Sequence, residues 1–241
     1  MIAAVIPPSR PRLQGVGGLA ACFVALAYVV GFAGMATLLN PPGSVGSNPS
    51  DLLAFLLDKK LLFQLWMVLI YVLAGGALVV LSVSLHERLK DGFSDQMQIA
   101  TPFGLIWAGL VIASGMVAIS GLESVADLRA KDANLAVFTW VSVGTIQNAL
   151  GGGIEVVGGV WMLLVSVALV RWSGFSRALG WYGVLIGAVG VLTVVPPLKE
   201  LTTVFGLGQI PWFAWMGAAM LRPPGRPGVM AAATSTPAPR S

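Results

Sequence analysis

The chain has 241 residues, 56% of them hydrophobic and only 10% charged, with a formal net charge of +4 and a mean hydropathy of +0.86. Soluble domains carry about 25% charged residues, so these charges cannot cover a water-facing surface and the composition describes a helical protein of the bilayer. One cysteine, Cys22, and one histidine, His86, exclude a disulfide framework and any site built from thiolates and imidazoles.

Residues 1–14, MIAAVIPPSRPRLQ, read as a basic, proline-rich lead. Gly15 to Leu39 is uncharged and exceeds the roughly 20 residues that cross a bilayer core. It is also longer than the apolar region of a signal peptide, about 7 to 15 residues, so an uncleaved first span is expected. Residues 40–60 begin as a Pro/Gly/Ser/Asn loop and turn helical, with Ser50 or Asp51 placed to cap a short surface helix. The second span is predicted from Leu61 to Leu85, followed by a polar connection from His86 to about Gln98. The third runs from Ile99 to Leu122, with Pro102 in its first turn, where a missing N–H costs little.

Beyond the charged stretch from Glu123 to Asp132, the apolar run Leu135 to Val170 is interrupted only by the triplet Gly151, Gly152, Gly153 and by Glu155. It reads either as two short spans or as a surface helix bent into one span, and charge decides between these. With six spans and the N-terminus inside, Arg10, Arg12, Arg88, Lys90, Arg171, Arg177, Arg222, Arg226 and Arg240 are cytoplasmic. Lys59, Lys60, Arg129, Lys131 and Lys199 are then outside. Seven spans would send the last five of those arginines outward, against the positive-inside rule. The expected fold is therefore all-α: a polytopic transmembrane bundle of six spans over residues 15–221, in the inner membrane with both termini cytoplasmic. An extra outer-surface helix over 135–150 precedes the fourth span. The fifth and sixth spans run from about Ala178 to Val195 and from about Val204 to Leu221, and a disordered tail covers 222–241.

Gly180, Gly183, Gly187 and Gly190 recur at steps of three, four and three, which places them on one face where another backbone can approach. Gly151, Glu155, Gly158, Gly159, Met162 and Ser166 likewise share a face of the fourth span. The stretch from Gly151 to Leu192 combines Glu155, Trp161, a connector with Ser173, Gly174, Phe175 and Arg177, and then Leu179 and Gly180 opening the next helix. It resembles a bacterial integral-membrane family, the domain-of-unknown-function family forty-three eighty-six. The resemblance extends loosely over residues 12–222 and departs at Ser176-Arg177, where members often have Pro-Arg. It implies a six-span inner-membrane protein and supplies no substrate.

Ionisable side chains inside spans are costly and mark functional hypotheses, which makes Glu155 the leading candidate. A helix-start hydrogen-bonding role is its structural alternative. Gln64, Ser120 and Gln209 are expected at similar depth, and Trp161 and Trp212 could wall a polar, outward-opening pocket with them. His86, in the interfacial run HERLKD, reads as solvated. No phosphate loop, HExxH pattern or nucleophile elbow is present, and no cofactor or metal is implied. The C-terminal arginines read as topology anchors and anionic-lipid contacts rather than as a nucleic-acid surface. The sparse polar content of the spans favours a non-enzymatic structural or accessory membrane component, with other membrane proteins as partners. A small carrier or receptor for a solute, lipid or hydrophobic ligand is the alternative.

Overall fold

A computed structural model describes residues 11–41, 48–172 and 174–222. The lead and the tail read from the sequence fall, apart from residues 11–14 and 222, outside the described residues. Every regular element among the described residues is helical. The α-helices are α1 (Pro11–Thr37), α2 (Pro49–Asp58), α3 (Lys60–Met67), α4 (Ala74–Arg129), α5 (Ala133–Gln147), α6 (Val156–Arg171), α7 (Arg177–Leu192) and α8 (Leu201–Leu221). Four helical stretches among the described residues, Arg12–Thr37, Lys60–Arg129, Ala133–Arg171 and Leu201–Leu221, are long and apolar enough to cross a membrane.

Local chemistry sets the starts of the shorter helices. In α2, Pro49 occupies the first helical position and Asn48 is the cap, its side chain accepting from the Ser50 N–H at 3.0 Å. This replaces Ser50 or Asp51 as the expected cap: Asn48 precedes the proline and alone holds the extended conformation that aims a side chain back at the first turn. Asp132 does the same for α5, accepting from Asn134 and Leu135 N–H at 3.0 Å.

The stretch from Lys60 to Arg129 is folded back on itself. Phe93 leaves helical geometry, at φ −142° and ψ 46°, directly after Gly92. On either side of it the arms are antiparallel: His86 meets Thr101, Gly115 abuts Tyr71, and Lys60 pairs with Glu123. The connection expected over 86–98 is therefore helical except at the bend, and Pro102 lies about two turns into the second arm instead of in its first turn. The second arm then serves as a rail for α5 and α6. Val143 packs on Gly121, Ser114 Oγ donates to Gln147 O at 3.1 Å, Trp107 packs on Gly158, and Gln96 donates to Leu164 O. These two helices thus form one bent path along this arm, broken at Gly151, whose φ of +125° only glycine adopts without strain.

The other helices pack antiparallel in pairs. Helix α1 lies along α8, with Gly18 against Gly217 and Gln14 Nε2 donating to Met220 O at 3.3 Å, and along the first arm, with Trp66 Nε1 donating to Gly31 O at 2.9 Å. Helix α7 runs between α6 and α8. Gly187 meets the Gly159 carbonyl and Leu163, while Gly183 meets Ser166 and Trp212.

Large side chains fill the centre. Trp107, Trp161 and Trp212 are each no more than 2% exposed, and each lies over a glycine of a neighbouring helix: Gly158, Gly104 and Gly183 respectively. Their rings form a chain, with centroids 5.5 Å apart for Trp107–Trp161 and 5.7 Å for Trp161–Trp212. A second apolar cluster joins Leu53 and Leu56 of α2 to Phe63, Met67, Leu122 and Ala136 at the end of the bundle bearing Lys59 and Lys60.

Candidate functional site

Glu155 sits where the α5–α6 path is interrupted, immediately before the first residue of α6. Threonine hydroxyls from two neighbouring elements fix this junction. The Glu155 N–H donates to Thr193 Oγ1 at 2.8 Å, and Thr193 Oγ1 donates in turn to Gly190 O at 2.7 Å, tying Glu155 to the end of α7. Thr202 Oγ1 donates to Gly153 O, tying the glycine triplet to the start of α8. The backbone is thus held while the side chain is left free to act. Its carboxylate makes no capping bond to its own helix and accepts instead from Trp107 Nε1–H at 3.3 Å.

The half-buried Glu155 side chain faces a cavity of about 350 Å³. Tyr28, Gly31, Phe32 and Met35 of α1 line one side, with Trp66, Ile70 and Tyr71 of the first arm beside them. Val111, Gly151 and Glu155 form the back, and Thr202, Thr203, Gly206 and Gln209 of α8 complete the wall. The exposed members Phe32, Met35 and Thr203 form a rim. That rim lies toward the far ends of α1 and α8 from Arg12 and Arg222.

Two departures from α-helical geometry border this space. Residues Val68–Leu73 form a π-helical turn, as do Asn148–Gly152. A π-turn inserts one residue and rotates the following face, and such turns recur at functional sites. Here the first brings consecutive side chains, Ile70 and Tyr71, to the cavity wall.

Gln209 is 5% exposed, and its Oε1 has no hydrogen-bond donor. Glu155 has no cationic partner among the described residues, whose ion pairs are Lys60–Glu123 and Lys90–Glu87. The site therefore sets a carboxylate, with no cationic partner among the described residues, beside a wall that includes four aromatic residues. No cluster of three His, Cys, Asp or Glu that could hold a metal occurs among the described residues.

Of the residues singled out from sequence, the structure brings Glu155 and Gln209 to the cavity and places the others elsewhere. Gln64 Nε2 donates to Glu123 Oε1 at 2.6 Å, on the Lys60 side of the cavity, because the antiparallel arms bring those two positions together. Ser120 is exposed on α4. Trp161 and Trp212 belong to the packed aromatic chain behind the cavity and do not line it, since glycines on α4 and α7 let them sink into the helix contacts. His86 Nδ1 lies 2.8 Å from Thr101 Oγ1, near the Phe93 bend. Sequence reasoning missed Tyr28, Trp66, Trp107 and Thr202 as parts of this site. No family model matches the chain, and no curated protein or solved structure matches it significantly, so the likeness to the membrane family named above stands on the quoted residues alone.

Proposed function

We propose that the chain is a six-span membrane protein with cytoplasmic termini that binds a small ligand in the Glu155 cavity, as a carrier or receptor. The six spans are α1, the two arms meeting at Phe93, α6, α7 and α8, with α5 beside the outer end of the second arm. The observation that carries the ligand reading is the convergence of Gln209 and of Glu155, which has no cationic partner among the described residues, on one open, largely apolar cavity. Ligand sites are commonly concave, mainly apolar and about 300–1,000 Å³, with a few convergent polar groups. At about 350 Å³ this space suits a small molecule. The purely accessory reading rested on a shortage of polar groups inside the spans, and the cavity concentrates those that exist. The resemblance of residues 151–192 to a six-span family supports the topology only.

A rim variant tests the ligand reading. Thr203 is exposed, so Thr203→Trp should fold and obstruct the mouth. In a thermal-shift screen of amphipathic solutes and lipids on detergent-solubilised protein, ligands of the cavity raise the melting temperature of the wild type and lose most of that effect in Thr203→Trp, because stabilisation follows occupancy. A screen in which no compound separates the two proteins overturns the reading.

A further inference from the structure

We infer that the cavity selects an organic ammonium ion: a compact monocation with N–H donors or N-methyl groups on a small apolar or aromatic body. The inference rests on the cavity being a ligand site and adds the chemical class of its occupant.

Three observations converge. The first is the spare acceptor capacity of the Glu155 carboxylate. Glu155 offers two carboxylate oxygens and receives one donor, the Trp107 Nε1–H at 3.3 Å. Gln209 stands on the same wall. A carboxylate with acceptor capacity to spare favours a ligand that brings N–H donors, where an anion or an acceptor-rich solute would set a further acceptor beside it.

The second is charge. Among the described residues no Lys, Arg or His lines the cavity, and their ion pairs, Lys60–Glu123 and Lys90–Glu87, involve other carboxylates. A carboxylate held in apolar surroundings is stabilised by a positive partner, and the described residues supply none, leaving that role to the occupant.

The third is the wall itself. Tyr28, Phe32, Trp66 and Tyr71, from α1 and the first arm, line the same space as Glu155 and Gln209. The Trp66 indole is anchored by its bond to Gly31 O, so its ring is a fixed surface. Several aromatic faces with one carboxylate form the arrangement that attracts an ammonium ion through ring quadrupoles and direct charge together.

The test uses full-length protein in detergent or nanodiscs, with methylammonium, tetramethylammonium and phenethylammonium as probes. Neutral 2-phenylethanol and anionic 3-phenylpropanoate are the matched controls. At least one ammonium probe should stabilise the wild type saturably, at concentrations ten-fold or more below those the controls require. Glu155→Gln should erase that preference, and Thr203→Trp should weaken the response. Trp66→Leu, which removes one ring of the wall, supplies a second variant should Glu155→Gln fail to fold, and should raise the needed ammonium concentration several-fold. If the alcohol matches the ammonium ions and neither substitution alters their ratio, the cation assignment is overturned while the ligand site stands. If the ammonium ions do nothing while other compounds act in a Thr203→Trp-sensitive way, the cation assignment is again overturned. If nothing distinguishes wild type from Thr203→Trp, both readings fall.

Discussion

At the scale of single residues, two carboxylates behave differently because of what surrounds them. Glu123 lies just beyond the second arm's predicted span and is solvated. The Lys60 ammonium and the Gln64 amide donate to it, and both hold its carboxyl below the ordinary carboxylate range. A carboxyl whose folded pKa is depressed adds stability above its unfolded pKa, and that stability is lost as pH falls through the lower folded value. Glu123→Gln should therefore lower the melting temperature slightly at neutral pH, and the difference from wild type should close as pH drops below the usual carboxylate range, near about 4.3. A difference that persists unchanged in acid would show that the pair with Lys60 is not its source. Glu155 was legible from sequence as a lone ionisable group in apolar surroundings, and Gln209 from its depth. Their companions were not legible: Tyr28, Trp66 and Tyr71 look like ordinary membrane-helix aromatics until α1, the first arm and α8 are brought together. The same ambiguity misassigned Trp161 and Trp212, because a tryptophan in lipid-facing sequence gives no sign of whether a neighbouring helix offers a glycine to receive it.

At the scale of elements, the glycine spacing of α7 was the most readable feature, because a helix that meets another backbone closely must drop its side chains at a helical period. Gly180 abuts Ser166 and Val170, Gly187 abuts Gly159 and Leu163, and Gly190 abuts Phe205. A side chain at Gly187 would meet the Gly159 carbonyl, which cannot swing aside as a flexible side chain could. Gly187→Leu should thus cost at least the ~1–3 kcal/mol typical of overpacking and sharply reduce the monodisperse yield. Leu185→Val, at a position 61% exposed, should leave the yield near wild type. Equal yields from the two variants would refute the close contact between α6 and α7. The bends were less readable. Phe93 breaks the Lys60–Arg129 stretch beside Gly92, yet nothing in its own chemistry marks it, and the π-turn at Val68–Leu73 carries no sequence signal; the break at Gly151, by contrast, falls in the glycine triplet where the sequence placed a bend. Such breaks are settled by the packing of both arms, which a single segment does not encode.

At the scale of the whole molecule, charge and packing bear on the same threading. The pairings collect Leu13, Ser84, Arg88, Trp172, Phe175 and Met220 at one end: Ser84 Oγ donates to Leu13 O at 3.1 Å, and the Arg88 guanidinium lies 4.3 Å from the Phe175 ring centroid. That end carries Arg12, Arg88, Arg171, Arg177 and Arg222. The opposite end carries Lys59, whose Nζ donates to Leu38 O at 2.8 Å, together with Lys60 and Glu123. An unbroken helix of 70 residues would reach about 105 Å, more than three times a bilayer core of about 30 Å; the fold-back at Phe93 divides this stretch into two antiparallel arms, which the proposed threading takes as two crossings. The threading proposed above takes the arginine-rich end as the cytoplasmic one, following the positive-inside rule. The rim of the Glu155 cavity lies toward the other end of the bundle, away from those arginines. Helix α5 is the element whose threading charge decided in the sequence and on which packing bears independently, since it exposes Leu135, Phe138, Val141 and Ile146 while lying along residues 114–121. Were α5 an independent crossing, the path from α5 to α6 would have to reverse at Gly151; instead both run the same way along the second arm. Alkaline phosphatase, which is active only outside the cytoplasm, separates these cases. Fused after Leu221 it should be inactive, and inserted at Lys131 it should be active. Activity at both positions would mean an even number of crossings after Lys131, and with it a seventh span through α5.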